Sequence, residues 1–533
     1  MDAFREPFRA ALTALAHPSG LTILALVSAA AITATAIYRV WFHPLSAFPG
    51  PKRYAITDVP QDWQVHVRGT FQPRLRELHQ RYGPVVRIGP DTLSVDGGVA
   101  WPQVYGHRRA GQPEFGKVAG YFGPENDISV LMAPQAAHRR QRRHLAHACS
   151  DAALAEQQGF VLKYVDLVME KFSRSADAGE HVNVVDWLNF MTFDVIGDLA
   201  FGESFGSLGR SEYHPWVRAI VDSFYGFSLV HFIQFHPFFL PVLPLMVGTK
   251  FFRQIRKIQV MSRSKAQARI DRGETPGRRD LMSYVSRKTL QNNGKEAKAE
   301  AEHQHQHHQE QQQQQQQGMT RAEQLVVAPL LVTAGSDTTA TALSGFFFLL
   351  AQHPDAMRRL QEEVRGAFAS EAEVDIKSSA RLPYLSACLE ETMRLYPPAV
   401  VTPPRVSPGA EIEGRFVPKG TRIFVPQYVT FRNENHFTDP DSFRPERWLP
   451  ATHPLHDPKY AGDNRAVFKP FSFGPRDCIG KNLAVAEMRI FAARLALRFD
   501  WELPPGQGRW MEDQRVCGAW MKGPLQVRLA HRG

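Results

Sequence analysis

The chain has 533 residues, 43% hydrophobic and 22% charged, an ordinary balance for a globular protein that buries a sizeable core. Its four cysteines, Cys149, Cys388, Cys478 and Cys517, are too few and too scattered for a disulfide framework or a paired zinc motif, and they fit a reducing, cytosol-facing setting. The formal charge of +10 favours an acidic partner or a membrane surface, and because no recognition motif accompanies it, nucleic acid is not an expected partner.

The first element in chain order is Leu21 to Tyr38, uncharged throughout and about 27 Å long as a helix, near the shorter limit for crossing a bilayer. Arg39, Lys52 and Arg53 follow it and place the bulk of the chain on the cytoplasmic side. The competing reading is a secretory signal cleaved near Ala34–Ala36. The long polar lead before Leu21 and the cysteine usage count against it. The expected organisation is a lead over 1–20, a transmembrane anchor over 21–38, a proline-rich hinge over 39–53 and one domain over 54–533.

Within that domain, short strands are predicted at Val85–Gly89, Arg422–Pro426 and Leu525–Ala530. Basic residues gather at His138–His144 and across Lys250–Arg279, each a solvated face or a partner site. Glu302–Gly318, EHQHQHHQEQQQQQQQG, is a low-complexity insertion that cannot supply a core and reads as a surface loop. Thr320–Glu323 has the form of a capping box and opens an apolar stretch running to Leu350, which predicts a long helix through the middle of the protein. His353–Phe368 and Leu382–Tyr396 read as amphipathic helices, so the fold class is mainly α with a minor β-sheet.

One stretch concentrates chemistry. FSFGPRDCIGKN, Phe471 to Asn482, sets Cys478 between Gly474 and Gly480, whose missing β-carbons allow close approaches. Lys481–Leu497 has helical periodicity, so Cys478 stands at the doorway of a helix, where exposed N–H groups favour a thiolate over a thiol. A thiolate in a tight loop, with Arg476 able to neutralise an anionic ligand, is what an axial iron ligand requires.

FSFGPRDCIG resembles the haem-binding signature of the cytochrome P450 family, Phe-x-x-Gly-x-Arg-x-Cys-x-Gly, with every specified position filled. The resemblance implies the cytochrome P450 fold, preceded by one N-terminal transmembrane helix, and haem b as the thiolate-ligated cofactor. Cys478 would be the axial ligand, with Phe471 beside the sulfur and Arg476 on a haem propionate. AGSDTT, Ala334–Thr339, matches the family's oxygen-activating helix: Gly335 would admit the flat cofactor, and Asp337 and Thr338 would deliver protons. Glu391 and Arg394 of ETMR, joined by Arg447 of FRPERW, match its structural network. HRRQRRHLAHACS places His138 where tryptophan is common in the family and Arg142 four residues on, both expected on a propionate, as is Arg405 of TPPRVSP. The likeness runs from about Phe48 to Leu529, and Leu188–Gly206 is most similar to membrane-bound fungal members.

The implied activity is a monooxygenase that inserts one oxygen atom of O2 into a lipophilic small molecule, in fungal secondary metabolism by the company such sequences keep. The chain shows no nucleotide-binding fingerprint, so electrons come from outside: the resemblance implies an NADPH-cytochrome P450 reductase, docking on Arg139–Arg143 with Arg140 and Arg143 as contacts, at the endoplasmic reticulum membrane. Val400–Thr402, Ala519–Trp520 and parts of Tyr105–Met132 would line the pocket. Phe235–Val247 is either a substrate route dipping into the membrane or a simple membrane contact. Two other classes stay open: a haem-thiolate isomerase or peroxide-rearranging enzyme without a reductase, and a haem-binding sensor or electron carrier. The expected test result is that reduced protein under carbon monoxide shows the red-shifted Soret band of thiolate ligation, and that Cys478→Ala abolishes it.

Overall fold

The computed structural model describes residues 18–109, 111–273, 278–285 and 318–532. Residues 1–17 of the lead and 302–317 of the low-complexity insertion lie outside the described residues. An apolar helix, Pro18–Ile37, continues through a π-helical turn, Tyr38–Phe42, and spans the expected anchor. The stretch Ser19–Phe42 has a mean hydropathy of 2.0 with none of its best window buried, so its apolar surface has no protein partner and the helix could be a membrane anchor. The central helix, Arg321–Gln352, is also long and apolar, but 44% of its window is buried against protein, which marks it as core.

The capping box forms as expected. Thr320 Oγ1 accepts from the Glu323 N–H at 3.2 Å, and Glu323 Oε2 accepts from the Thr320 N–H at 2.8 Å. From there the central helix runs against Val184–Phe201, a helix buried on nearly all sides. The predicted amphipathic helices appear at Pro354–Ala367, Pro383–Leu395 and Lys481–Arg498, and all three join the main hydrophobic cluster through Leu360, Leu385 and Phe491. Each apolar stripe finds a neighbour there, which is what stabilises helices of this length.

The sheet is minor. Its five short strands lie in the order Val85–Gly89, Thr92–Val95, Arg422–Phe424, Arg405–Val406 and Gly116–Lys117. The second and third are parallel, with Leu93 opposite Ile423, and the remaining pairs are antiparallel. Under it, Leu93, Trp101, Tyr105, Phe115 and Ile423 make a second core, separate from the helical one. Gln526–His531, predicted as a strand, pairs instead with Phe499–Glu502 and His181–Asn183. Because Thr320 satisfies one of the first N–H groups of the central helix, Thr320→Ala should cost about 1 kcal/mol, read as a lowered urea midpoint by far-UV circular dichroism.

Candidate active site

The loop that carries Cys478 is shaped by one glycine. Gly474 has φ of +80°, and a β-carbon there would sit 2.0 Å from the Tyr105 carbonyl oxygen, so only glycine lets the turn Gly474–Arg476 lie on the backbone of the Trp101–Tyr105 segment. Ser472 is also held at positive φ, 63°, a conformation that costs energy in a non-glycine residue. The Cys478 N–H closes the loop on the Phe471 carbonyl at 2.8 Å. At Gly480 φ is −85° and none of the described residues stands within 4 Å of its missing β-carbon, so the chain's own atoms do not require glycine there.

Of the four cysteines, only Cys478 is exposed; Cys388 and Cys517 are buried and Cys149 is intermediate. Protein atoms nonetheless crowd the sulfur closely. Burial pushes its thiol up, and although the Gly480 N–H that hydrogen-bonds the sulfur, Arg142 and Lys481 oppose that, burial wins. A cation at the sulfur would reverse the balance, as metal ligation of cysteine requires.

Beside the loop, cations outnumber anions. Arg476 is buried and donates from Nη2 to Glu114 Oε1 at 2.6 Å, while its Nη1 has no hydrogen-bond partner among the described residues. Arg405 is buried with its guanidinium 4.7 Å from the centre of the Tyr105 ring, and its Nε likewise has no partner among the described residues. Lys117 stands opposite Arg405 in the two-residue strand pairing, and burial, then Arg405 and Arg476, push its ammonium well below the ordinary range. His138, also buried, is held down to about 3 by burial first and then by Arg476, Arg142, Lys117 and Arg405. Orphaned buried donors in a cluster with one carboxylate fit an anionic ligand with more than one negative group.

Arg142, expected on a propionate, is tied to the cysteine loop itself: Nη1 donates to the Asp477 carbonyl at 2.6 Å and Nη2 to its carboxylate. Arg140 is not an open docking charge either. It donates to Glu323 Oε1 at 2.6 Å, Glu323 Oε2 at 2.9 Å and the Gly318 carbonyl at 2.8 Å, joining the basic helix Gln135–Ala148 to the start of the central helix.

On the central helix Thr338 Oγ1 donates to the Ala334 carbonyl one turn back at 2.7 Å. Ala334 and Thr338 are exposed although Val332, Ser336 and Thr339 beside them are buried, so this face borders open space. Asp337 points elsewhere, its Oδ1 accepting from Lys522 Nζ at 2.8 Å. The missing β-carbon of Gly335 faces Ile196 Cγ1 at 3.2 Å, so the glycine also serves the contact with Val184–Phe201.

Glu391, Arg394 and Arg447 meet, all fully buried. Glu391 accepts from Arg394 Nε and Nη2 at 2.8 Å each, from Arg447 Nε at 3.1 Å, from Trp448 Nε1 at 2.9 Å and from the Arg444 N–H at 2.8 Å. Arg447 also pairs with Asp463. In the expected pocket, Trp520 is fixed by stacking on Tyr396 at 4.4 Å and by donating to the Pro397 carbonyl at 2.8 Å, and Thr402 hydrogen-bonds the Tyr105 hydroxyl at 2.6 Å. Lys117, Glu114, Asp463 and Lys522 were not singled out from sequence, because each is a lone charge in an unpatterned stretch and gains its meaning from partners far along the chain.

A sulfur exposed in a glycine-shaped loop, with the basic side chains of Arg405, Arg476, Lys117 and His138 gathered near that loop, fits a haem-thiolate class of protein. The family model described as Cytochrome P450 matches residues 61–529. Cytochrome P450 monooxygenase astJ of Aspergillus oryzae is 37% identical over 93% of this chain and 94% of its own length. Averantin hydroxylase of Dothistroma septosporum is 37% identical over 93% of this chain and 89% of its own length, and cytochrome P450 monooxygenase dtxS2 of Metarhizium robertsii is 34% identical over 100% and 97%. The chain belongs to the cytochrome P450 family and is a haem-dependent monooxygenase, which uses O2, a redox partner and a lipophilic substrate. Because Gly474→Ala would press a β-carbon on the Tyr105 carbonyl, its expected outcome is loss of haem from the purified protein, read as the ratio of Soret to protein absorbance.

Proposed function

We propose that the protein is a membrane-anchored fungal-type monooxygenase that oxidises a lipophilic intermediate of secondary metabolism, with haem b held by Cys478. The observation that carries this is the exposed sulfur in its turn beside the Arg405, Arg476, Lys117 and His138 cluster. Arg405 and Arg476 have unpaired buried donors suited to the two propionates, with His138 and Lys117 adjoining. Arg142 contributes by fixing Asp477, and with it the backbone next to the sulfur. Bound through the sulfur, haem supplies activation of O2 so that one oxygen atom enters the substrate. Thr338, exposed on the open face, presents a hydroxyl whose proton can be replaced from Asp337. Glu391, Arg394 and Arg447 do no chemistry; they hold the elements that carry the cysteine loop.

The substrate is a greasy small molecule, a reading supported by membership of the family and by a relative named averantin hydroxylase. The domain layout follows the sequence reading: anchor, hinge and one catalytic domain from residue 54 onward, with a low-complexity insertion at 302–318. The anchor and the exposed side chains Phe238, Leu240 and Leu245 of the Pro237–Met246 stretch support a bilayer contact at two places, at the endoplasmic reticulum with the domain facing the cytoplasm.

Electrons are supplied by an NADPH-cytochrome P450 reductase. Phe471, Asp477 and Lys481 border an open cleft of about 540 Å3, so a partner docking there comes close to the sulfur. Arg139 and Lys481 are exposed cations suited to an acidic partner, as is Arg143, whereas Arg140 is engaged with Glu323. Arg139→Glu with Lys481→Glu should raise several-fold the reductase concentration giving half-maximal turnover at low salt, and the difference should shrink as salt is added. Unchanged reductase dependence would remove this docking face, while product formed with NADPH, O2 and reductase tests the monooxygenase reading itself.

A further inference from the structure

We propose that Lys522 is a positioning residue for Asp337, a buried ammonium clamp that holds the carboxylate away from Thr338 and governs when it can pass a proton. The inference deepens the proposed role of Asp337 and rests on it. Lys522 Nζ donates to Asp337 Oδ1 at 2.8 Å and to Thr341 Oγ1 at 2.6 Å. Asp337 and Thr341 are one helical turn apart, so one ammonium bridges two positions on a single face of the central helix. The clamp is enclosed: the Lys522 side chain is 6% exposed and that of Asp337 16%.

Its mounting is firm. Lys522 directly follows the strand Ala519–Met521, which pairs with Arg515–Cys517, and that strand is bound in turn by the Val516 N–H to the Gly69 carbonyl at 2.9 Å. The adjacent Trp520 is fixed on Tyr396 and Pro397. Thr338, by contrast, lies about 100° round the helix from Asp337 and spends its hydroxyl proton on Ala334. Adjacent in sequence, acid and alcohol therefore point apart, and Asp337 must leave Lys522 before it can serve the open face. Parting a buried pair leaves two poorly solvated charges, so the pair acts as a brake on that movement.

The experiment compares Lys522→Met, Lys522→Arg, Asp337→Asn and the double variant Lys522→Met with Asp337→Asn, in two readouts. The first, independent of turnover, is the thermal unfolding midpoint by far-UV circular dichroism. Lys522→Met should lower it by stranding the carboxylate, adding Asp337→Asn should recover most of the loss, and Lys522→Arg should stay near the parent. The second uses holoenzyme reconstituted with a reductase, measuring the solvent isotope effect and the share of reducing equivalents lost as hydrogen peroxide. Asp337→Asn should slow product formation by ~10²-fold, Lys522→Met should change the isotope effect and raise the peroxide share, and the double variant should match Asp337→Asn.

Additive effects in both readouts, or an isotope effect in Lys522→Met equal to the parent's while Asp337→Asn changes it, would overturn the clamp and leave the role of Asp337 standing. An unchanged isotope effect and peroxide share in Asp337→Asn would instead overturn that role, and the clamp with it. Should Lys522→Met fail to hold haem, Lys522→Gln replaces it with the same expectations.

Discussion

The carboxylate of Glu391 is the point on which the cysteine side of the molecule is built. A fully buried anion is costly, and burial alone would push Glu391 up, but Arg394 and Arg447 outweigh burial and hold it below the usual carboxylate range. The same three residues reach outward: Arg394 donates to the carbonyls of Phe431, Pro440 and Ser442, and Arg447 donates to that of Thr438 and pairs with Asp463. One helix, Pro383–Leu395, thereby holds the irregular stretch 431–463 that leads toward the cysteine loop. Such a network adds little net stability over an apolar core, yet losing one member strands a buried charge at about 3–5 kcal/mol. Its value is in fixing a long irregular segment that no strand or helix ladder organises.

A second constraint is electrostatic imbalance. The sheet edge at Gly116–Lys117 and Arg405–Val406 and the turn at Arg476 bring cations together with one carboxylate, Glu114. Burial and then the neighbouring cations hold His138 down to about 3 and push Lys117 well below its ordinary range. A ligand bearing two carboxylates would relieve that imbalance, and a metal held at Cys478 would offset the cost of an ionised sulfur.

The central helix joins these halves to the rest. Its start is locked by Thr320, Glu323 and Arg140, its middle is seated on Ile196 through Gly335, and its polar interruption divides between two directions, Thr338 toward open space and Asp337 toward Lys522. The basic helix consequently faces inward at Arg140 and Arg142 and outward at Arg139, so a run of like charges does not form one surface patch.

Local pattern was enough for much of this. The apolar N-terminal helix, the capping box, the amphipathic helices and the Val85–Gly89 strand follow from hydrophobic period and capping chemistry, which act over a few residues and survive into the fold. The cysteine signature is legible for the same reason: the turn at Gly474, the cysteine and the following helix are contiguous in the chain. Tertiary structure alone decided which charges meet. Lys522 and Asp337 are 185 residues apart, Arg142 and Asp477 335, and Arg476 and Glu114 362, and no local period encodes such pairings. It also decided that Gly335 faces Ile196, that Trp520 is fixed on Tyr396 and Pro397, and that burial pushes the Cys478 thiol up, because desolvation depends on everything that surrounds a group and not on its neighbours in sequence.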